Sequence, residues 1–293
     1  MNSTVLIALV AGLGSMVGWG TADFFAKKTI DKLGDVQTLF WQQLIGVAPL
    51  IILFAAHPYW PHLARFDWLF MVLLGATSGL SYLPLYTGFG KGQVSLLSPV
   101  FASYSVLVVG ISILFLGEKL SLGRAVAIAI TVLGILLIST DLKDLRISAR
   151  KHAFRLAGLP EVAFAVVVYS VWLVFLDRFL QGKDWVFFML FIRAFSSATL
   201  LLYSRARKVV LPVKDKSLWK YLVGIGVFDV AAFGFVSYGF SHTEFPSLIA
   251  VLSATFSLPT ILLARLFLGE RINKQQVVAA LIILLGIVLI TLA

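Results

Sequence analysis

The chain has 293 residues, 60% of them hydrophobic and only 13% charged, with a formal net charge of +10 and no cysteine. So apolar a composition excludes an ordinary water-soluble domain. The missing cysteines exclude disulfides, thiolate metal sites and iron–sulfur clusters but leave the compartment undecided.

Ten apolar runs follow one another: 4–26, 36–56, 66–88, 94–116, 122–141, 156–176, 185–204, 218–240, 245–267 and 274–292. Each is close to the roughly 20 residues that cross a hydrocarbon layer of about 30 Å at about 1.5 Å per residue. They are long and apolar on all sides, which predicts helices and argues against the alternating strands of a barrel. The fold class expected is an all-α polytopic membrane protein of ten transmembrane helices.

In chain order, run 1 has no Lys or Arg before it, so it lacks the basic region of a secretory signal and is expected to stay as a membrane helix. It carries Trp19, too deep for the interfacial aromatic belt, and Asp23, with Lys27 four residues on. Asp23 either pairs with Lys27 or serves a coupling ion. Run 2 opens with Gln42 and Gln43, amides that need partners in hydrocarbon. Run 3 sets Tyr82 and Tyr86 on one face, where each buried phenol seeks an acceptor. In run 4, Ser98, Ser103 and Tyr104 surround Pro99, which frees a backbone carbonyl one turn earlier. Those hydroxyls face a cavity or bond their own helix.

Run 6 carries Trp172, placed as Trp19 is in run 1. Run 7 holds Arg193 and run 8 holds Asp229, both near mid-span, where a charge costs roughly 2.5–3.5 kcal/mol on insertion scales. These two either form a structural ion pair or bind solute. In the second reading Asp229 takes a proton or ammonium and Arg193 a carboxylate. Tyr238 repeats Tyr86, and Ser253 and Thr255 precede Pro259 in run 9. The substrate-cavity candidates are thus Trp19, Gln42, Gln43, Tyr82, Tyr86, Ser98, Tyr104, Trp172, Arg193, Asp229, Tyr238 and Ser253, with Asp229 and Asp23 as coupling candidates.

The chain also contains itself twice. Residues 115–139 recur as 267–291 at a constant offset of 152, with 12 identities in 25 positions. The division expected is a first five-helix repeat over 1–141, a basic linker over 142–155 and a second five-helix repeat over 156–293. Five crossings per copy, an odd number, predict copies inverted in the bilayer, as in many transporters. Glu118 and Glu270 recur with the repeat just past Gly117 and Gly269, and read as capping or loop-fixing groups. Gly134 and Gly286 read as close helix contacts.

Loops on the side of the N-terminus hold five basic residues, Arg65, Lys119, Arg124, Arg178 and Lys183, and the opposite loops hold eighteen. That excess assigns the net charge to orientation, makes the richer side cytoplasmic and places both termini outside the cell membrane. Nucleic acid is not expected as a partner; membrane lipids and a small-molecule substrate are, with the chain acting as a monomer or homodimer. The four histidines lack metal-ligand spacing, no nucleophile–base set stands out and no phosphate-cradling G-x-x-x-x-G-K-[ST] loop is present. No metal, cofactor or enzymatic activity is expected.

The pattern of Pro99, then Leu116-Gly117-Glu118-Lys119, then a helix with Leu133-Gly134-Ile135, resembles the EamA-type domain of the drug/metabolite transporter superfamily. Trp19-Gly20 fits as well, and both halves share the likeness. The second half departs in having Val251 where Pro99 would repeat. The resemblance implies two inverted five-helix repeats around a central cavity, movement of small organic metabolites, an Arg in the second helix of a repeat, matched by Arg193, and cytoplasmic termini, opposite to the charge count. The function expected is alternating-access transport of small organic metabolites, including amino-acid-like zwitterions or drugs, with proton coupling. The alternatives are an uncoupled permease for sugar-like solutes and a non-transporting scaffold or lipid-handling protein.

Overall fold

The computed structural model describes residues 3–92, 94–139, 157–268 and 274–292. Among the described residues all regular structure is helical: α1 (Ser3–Leu33), α2 (Asp35–Ala56), α3 (Arg65–Lys91), α4 (Val94–Ala102), α5 (Tyr104–Leu116), α6 (Leu122–Ser139), α7 (Leu159–Leu180), α8 (Trp185–Ala206), α9 (Trp219–His242), α10 (Pro246–Ser253), α11 (Ser257–Leu268) and α12 (Lys274–Leu292). The basic linker 142–155 and Glu270 lie outside the described residues.

Among the described residues, six helices are long and apolar enough to cross a membrane: α1, α2, α3, α7, α8 and the stretch Lys216–His242 that contains α9. Four shorter apolar stretches, Val100–Leu116, Leu122–Ile135, Pro246–Thr260 and Val277–Leu289, accompany them. A helix bonds every backbone group within its own segment, the condition for entering hydrocarbon. Side chains confirm what the outer surface faces. Leu114, Phe115 and Leu122 are 77%, 78% and 82% exposed, and leaving each such group in water forgoes about 1.5–3 kcal/mol.

Runs 4 and 9 are not single helices. The first breaks at Ser103 between α4 and α5, and the second at a 3₁₀ turn, Ala254–Phe256, between α10 and α11. Ser103 and Thr255 hold the same place in the repeat, 152 residues apart. In the second half the cause is local: Pro259 has no N–H for the Thr255 carbonyl, and its ring crowds that carbonyl. In the first half Pro99 precedes the break, so the two copies reach one shape from different proline placements.

Helix packing is symmetric under exchange of the halves. α1 packs on α9, α10 and α11, while α7 packs on α3, α4 and α5; α2 packs on α9 as α8 does on α3. The α2–α8 and α6–α12 contacts are their own counterparts. Gly18 lets α1 approach α9, where an added Cβ would stand 2.7 Å from the Phe228 carbonyl. Gly134 does the same for α6 and α12 against Ile283, at 2.6 Å. The aromatic centre is formed by α1, α3, α4, α7 and α9, and α6 of the α6–α12 pair packs against it through α4.

Candidate functional site

A cavity at the centre of the bundle is lined by Trp19, Ala22 and Asp23 of α1, Gln42 of α2, Tyr82, Leu85 and Tyr86 of α3, Phe101 of α4, Asp229 of α9 and Phe256 of the 3₁₀ turn. The space open to a water's centre is about 10 Å³, at the lower edge of what one water needs. Six of the residues singled out in the sequence, Trp19, Asp23, Gln42, Tyr82, Tyr86 and Asp229, therefore meet at one place.

The two aspartates are treated differently. Arg193 Nη2 donates to Asp229 Oδ2 at 2.6 Å, with side chains 2% and 1% exposed. The pair is made through one oxygen, so Asp229 Oδ1 and Arg193 Nη1 keep no hydrogen-bond partner among the described residues. Arg193 also lies 5.4 Å over the Phe233 ring. Gly46 of α2 makes room for it, since a Cβ there would sit 2.5 Å from Nη1. Asp23, by contrast, accepts a single hydrogen bond, from Ser98 Oγ at 3.3 Å, and forms no ion pair among the described residues. The Asp23–Lys27 pairing that their spacing allows is not formed: Lys27 turns one turn onward to Asp31 at 2.7 Å and to the Phe89 carbonyl.

Tyr86 donates to Gln42 Oε1 at 2.5 Å. Trp19 Nε1 is buried without an acceptor among the described residues. The remaining residues singled out stand behind the wall or away from it. Ser98 reaches the site only through Asp23, and Gln43 is buried outside the lining. Tyr104 donates to the Ala250 carbonyl at 3.4 Å. The Ser253 hydroxyl takes a bond from Ser15 Oγ at 3.0 Å and donates to the Ile249 carbonyl. Trp172 donates to the Leu74 carbonyl at 2.9 Å, which makes it a packing residue. Tyr238 is not brought to the cavity: it is 41% exposed and stacks on His242 at 4.2 Å, because its helix turns that face outward.

Four residues of the lining, Ala22, Leu85, Phe101 and Phe256, went unmarked in the sequence, and so did a tyrosine packed behind it. Tyr169 is fully buried and its ring lies 5.3 Å from Tyr82, 5.0 Å from Tyr104, 5.1 Å from Phe101 and 5.8 Å from Trp172. Its position three residues before Trp172, hence on the same helix face, was the available signal.

Contacts between the halves join the bundle at both ends. At the end where α3 begins, Lys183 pairs with Asp67 at 2.7 Å, and Glu118 Oε2 accepts from Ser247 Oγ at 2.6 Å and Ser247 N at 3.3 Å. Glu118 follows Gly117, whose φ of 68° ends α5 in the left-handed region; it holds the N-terminus of α10, a cap supplied from the other half. Burial pushes its carboxyl up, against the lowering by these Ser247 bonds. At the other end Lys91 pairs with Glu161 at 2.5 Å, and Gln37 and Trp41 donate to the Leu211 carbonyl at 3.0 and 2.8 Å.

Comparisons with known proteins bear on the whole chain. A protein of known crystal structure superposes on 99% of this chain and 99% of its own with a TM-score of 0.74 at 19% identity, a likeness of fold. An uncharacterised protein of Methanocaldococcus jannaschii is 26% identical over 135 residues, 96% of its own length but 45% of this chain. The model of the EamA-like transporter family matches residues 6–140 and again 157–292. The chain therefore belongs to the EamA-like transporter family, as a multi-pass integral membrane protein that moves small solutes.

Proposed function

We propose that the chain is a secondary transporter of small organic metabolites that works by alternating access, with a zwitterion or organic cation as solute and a proton as coupling ion. In this reading it has ten membrane spans, counting α4 with α5 and α10 with α11 as one broken span each. They form two inverted five-helix repeats, 1–141 and 156–293, joined by the basic linker, with both termini outside the cell membrane. Discontinuous helices beside a midplane site are a recurrent feature of such proteins.

The observation that carries the reading is the pair of carboxyl groups lining one small cavity, one bound to a cation and one not. Burying a charge costs several kcal/mol after relaxation unless it is paired. Asp229 meets that condition through Arg193. Asp23 does not, and a carboxyl group with one weak hydrogen bond is the natural carrier of an exchangeable proton. Trp19 Nε1 as a spare donor and Asp229 Oδ1 as a spare acceptor leave the polar groups a solute would need. The coupling role thus falls to Asp23 before Asp229.

Contacts between the halves on both sides of a water-sized central space fit an occluded stage between two openings. The same small volume favours a second reading, a non-transporting bundle. Flux into proteoliposomes separates them, measured for amino acids, sugars and cationic drugs with and without an imposed pH gradient. Transport stimulated by the gradient, with the stimulation lost in Asp23→Asn, is the expected result. A solute moved equally well with or without the gradient by both Asp23→Asn and Asp229→Asn indicates an uncoupled permease, and no flux for any solute sinks the transport reading.

A further inference from the structure

A second and larger cavity opens at the end of the bundle where α5 and α7 finish. It measures about 490 Å³ and is lined by Leu116, Gly117, Glu118, Lys119, Asp177, Arg178, Gln181, Glu244, Phe245 and Pro246. That is the size of a small-molecule site, and both halves of the chain build it.

Its inner wall is acidic. Asp177 in the last turn of α7 is fully buried; its Oδ2 accepts from Gln181 Nε2 at 3.2 Å, while Oδ1 is buried with no hydrogen-bond partner among the described residues. The second carboxylate, Glu118, is fixed by Ser247. The cations nearby, Lys119, Arg178 and Arg124, form no ion pair with either acid among the described residues, although Arg124 lies 5.0 Å over the Phe245 ring. Lys119 and Arg178 are exposed, neither makes an ion pair within 4.0 Å, and Arg178 Nη2 donates to the Leu116 carbonyl at 3.1 Å. Glu244 adds a third acid at the rim. A desolvated acceptor beside a second carboxylate, in a cavity of this volume, awaits a donor that carries positive charge. Leu116, Phe245 and Pro246 supply the apolar side.

We propose that this mouth binds a small organic cation, a primary ammonium on a short aralkyl or alkyl body, with its nitrogen at Asp177 Oδ1. As a stage on a transport route the site rests on the reading above; as a binding site it stands alone.

Calorimetric titration of the full-length protein in detergent tests it, with phenethylammonium chloride as probe and the neutral 2-phenylethanol and the anion benzoate as controls. The wild type is expected to bind phenethylammonium in preference to both. Losing a hydrogen bond to a charged group should weaken binding about tenfold or more in Asp177→Asn. Glu118→Gln keeps an oxygen for Ser247 and provides a second reading of the acidic wall, should Asp177→Asn fail to fold; a loss of several-fold is expected. Asp23→Asn, in the central cavity, should leave this affinity unchanged. Equal affinity for the cation in the wild type, Asp177→Asn and Glu118→Gln overturns the proposal, as does tighter binding of benzoate, or a loss of affinity confined to Asp23→Asn. Cation binding that depends on Asp177 in a protein showing no flux leaves the mouth site standing and removes the transport reading alone.

Discussion

Asp229 and Asp23 line the same cavity from α9 and α1, yet one is locked and the other is loose. Asp229 has an arginine at 2.6 Å from a neighbouring helix. Asp23 has a serine at 3.3 Å. The difference teaches that depth in the sequence does not assign a role. A paired charge fixes packing between two helices and can be lost only with damage. An unpaired carboxyl in the same site is free to change its protonation without breaking a salt bridge, so stability and coupling should separate between the two residues.

Arg193→Ala breaks that comparison most severely. It leaves Asp229 buried beside an empty space, and removing one partner of a buried pair costs about 3–5 kcal/mol. The thermal unfolding midpoint in detergent should fall steeply. Replacing both members, Arg193→Leu with Asp229→Leu, should restore most of the loss, because an apolar pair of similar volume is often neutral. A double variant as unstable as the single one means that the bond contributes little. Next in size is Gly46→Ala, which keeps every charge but pushes a methyl into the guanidinium; overpacking of this kind costs about 1–3 kcal/mol. Asp23→Asn is expected to change stability by no more than about 1 kcal/mol, with Ser98 still able to bond the amide. If Asp23→Asn unfolds the protein as readily as Arg193→Ala, the contrast between the two acids fails.

Much of this was legible from sequence alone. Apolar length and a repeat at an offset of 152 identify a duplicated helical membrane protein, and Arg193 and Asp229 stand out because charge in hydrocarbon needs a reason. Pro99 and Pro259 marked breaks in helical hydrogen bonding in runs 4 and 9, but hydropathy continues unbroken through both runs, so the exact places, Ser103 and Ala254–Phe256, were not legible. Nor was the choice of partner for Lys27, which spacing offers equally to Asp23 and Asp31; Asp23 is buried in the cavity lining and Asp31 is exposed towards the end of α1. Tyr238 failed as a cavity residue because the halves, though similar, do not line the cavity equally. Eight of the ten lining residues come from the first half, and only Asp229 and Phe256 from the second.

The smallest expected effect concerns a contact that joins the halves at one end of the bundle. Burial raises the Glu118 carboxyl above its ordinary range in the folded protein, despite the bonds from Ser247. A raised folded value means that the folded state holds the proton more tightly than the unfolded chain, so stability from this group is full at low pH and declines as pH rises through the folded value. The wild type should therefore lose a little stability between acid and neutral pH that Glu118→Gln does not, since the amide keeps an acceptor for the Ser247 hydroxyl and never ionises. Unfolding midpoints of the two proteins across that range give a difference in which other titrating groups cancel. A difference that grows in the opposite direction, with the wild type gaining on the variant as pH rises, means that Glu118 is held charged by Ser247 and the α10 N-terminus. The contact between the halves would then strengthen towards neutral pH rather than loosen.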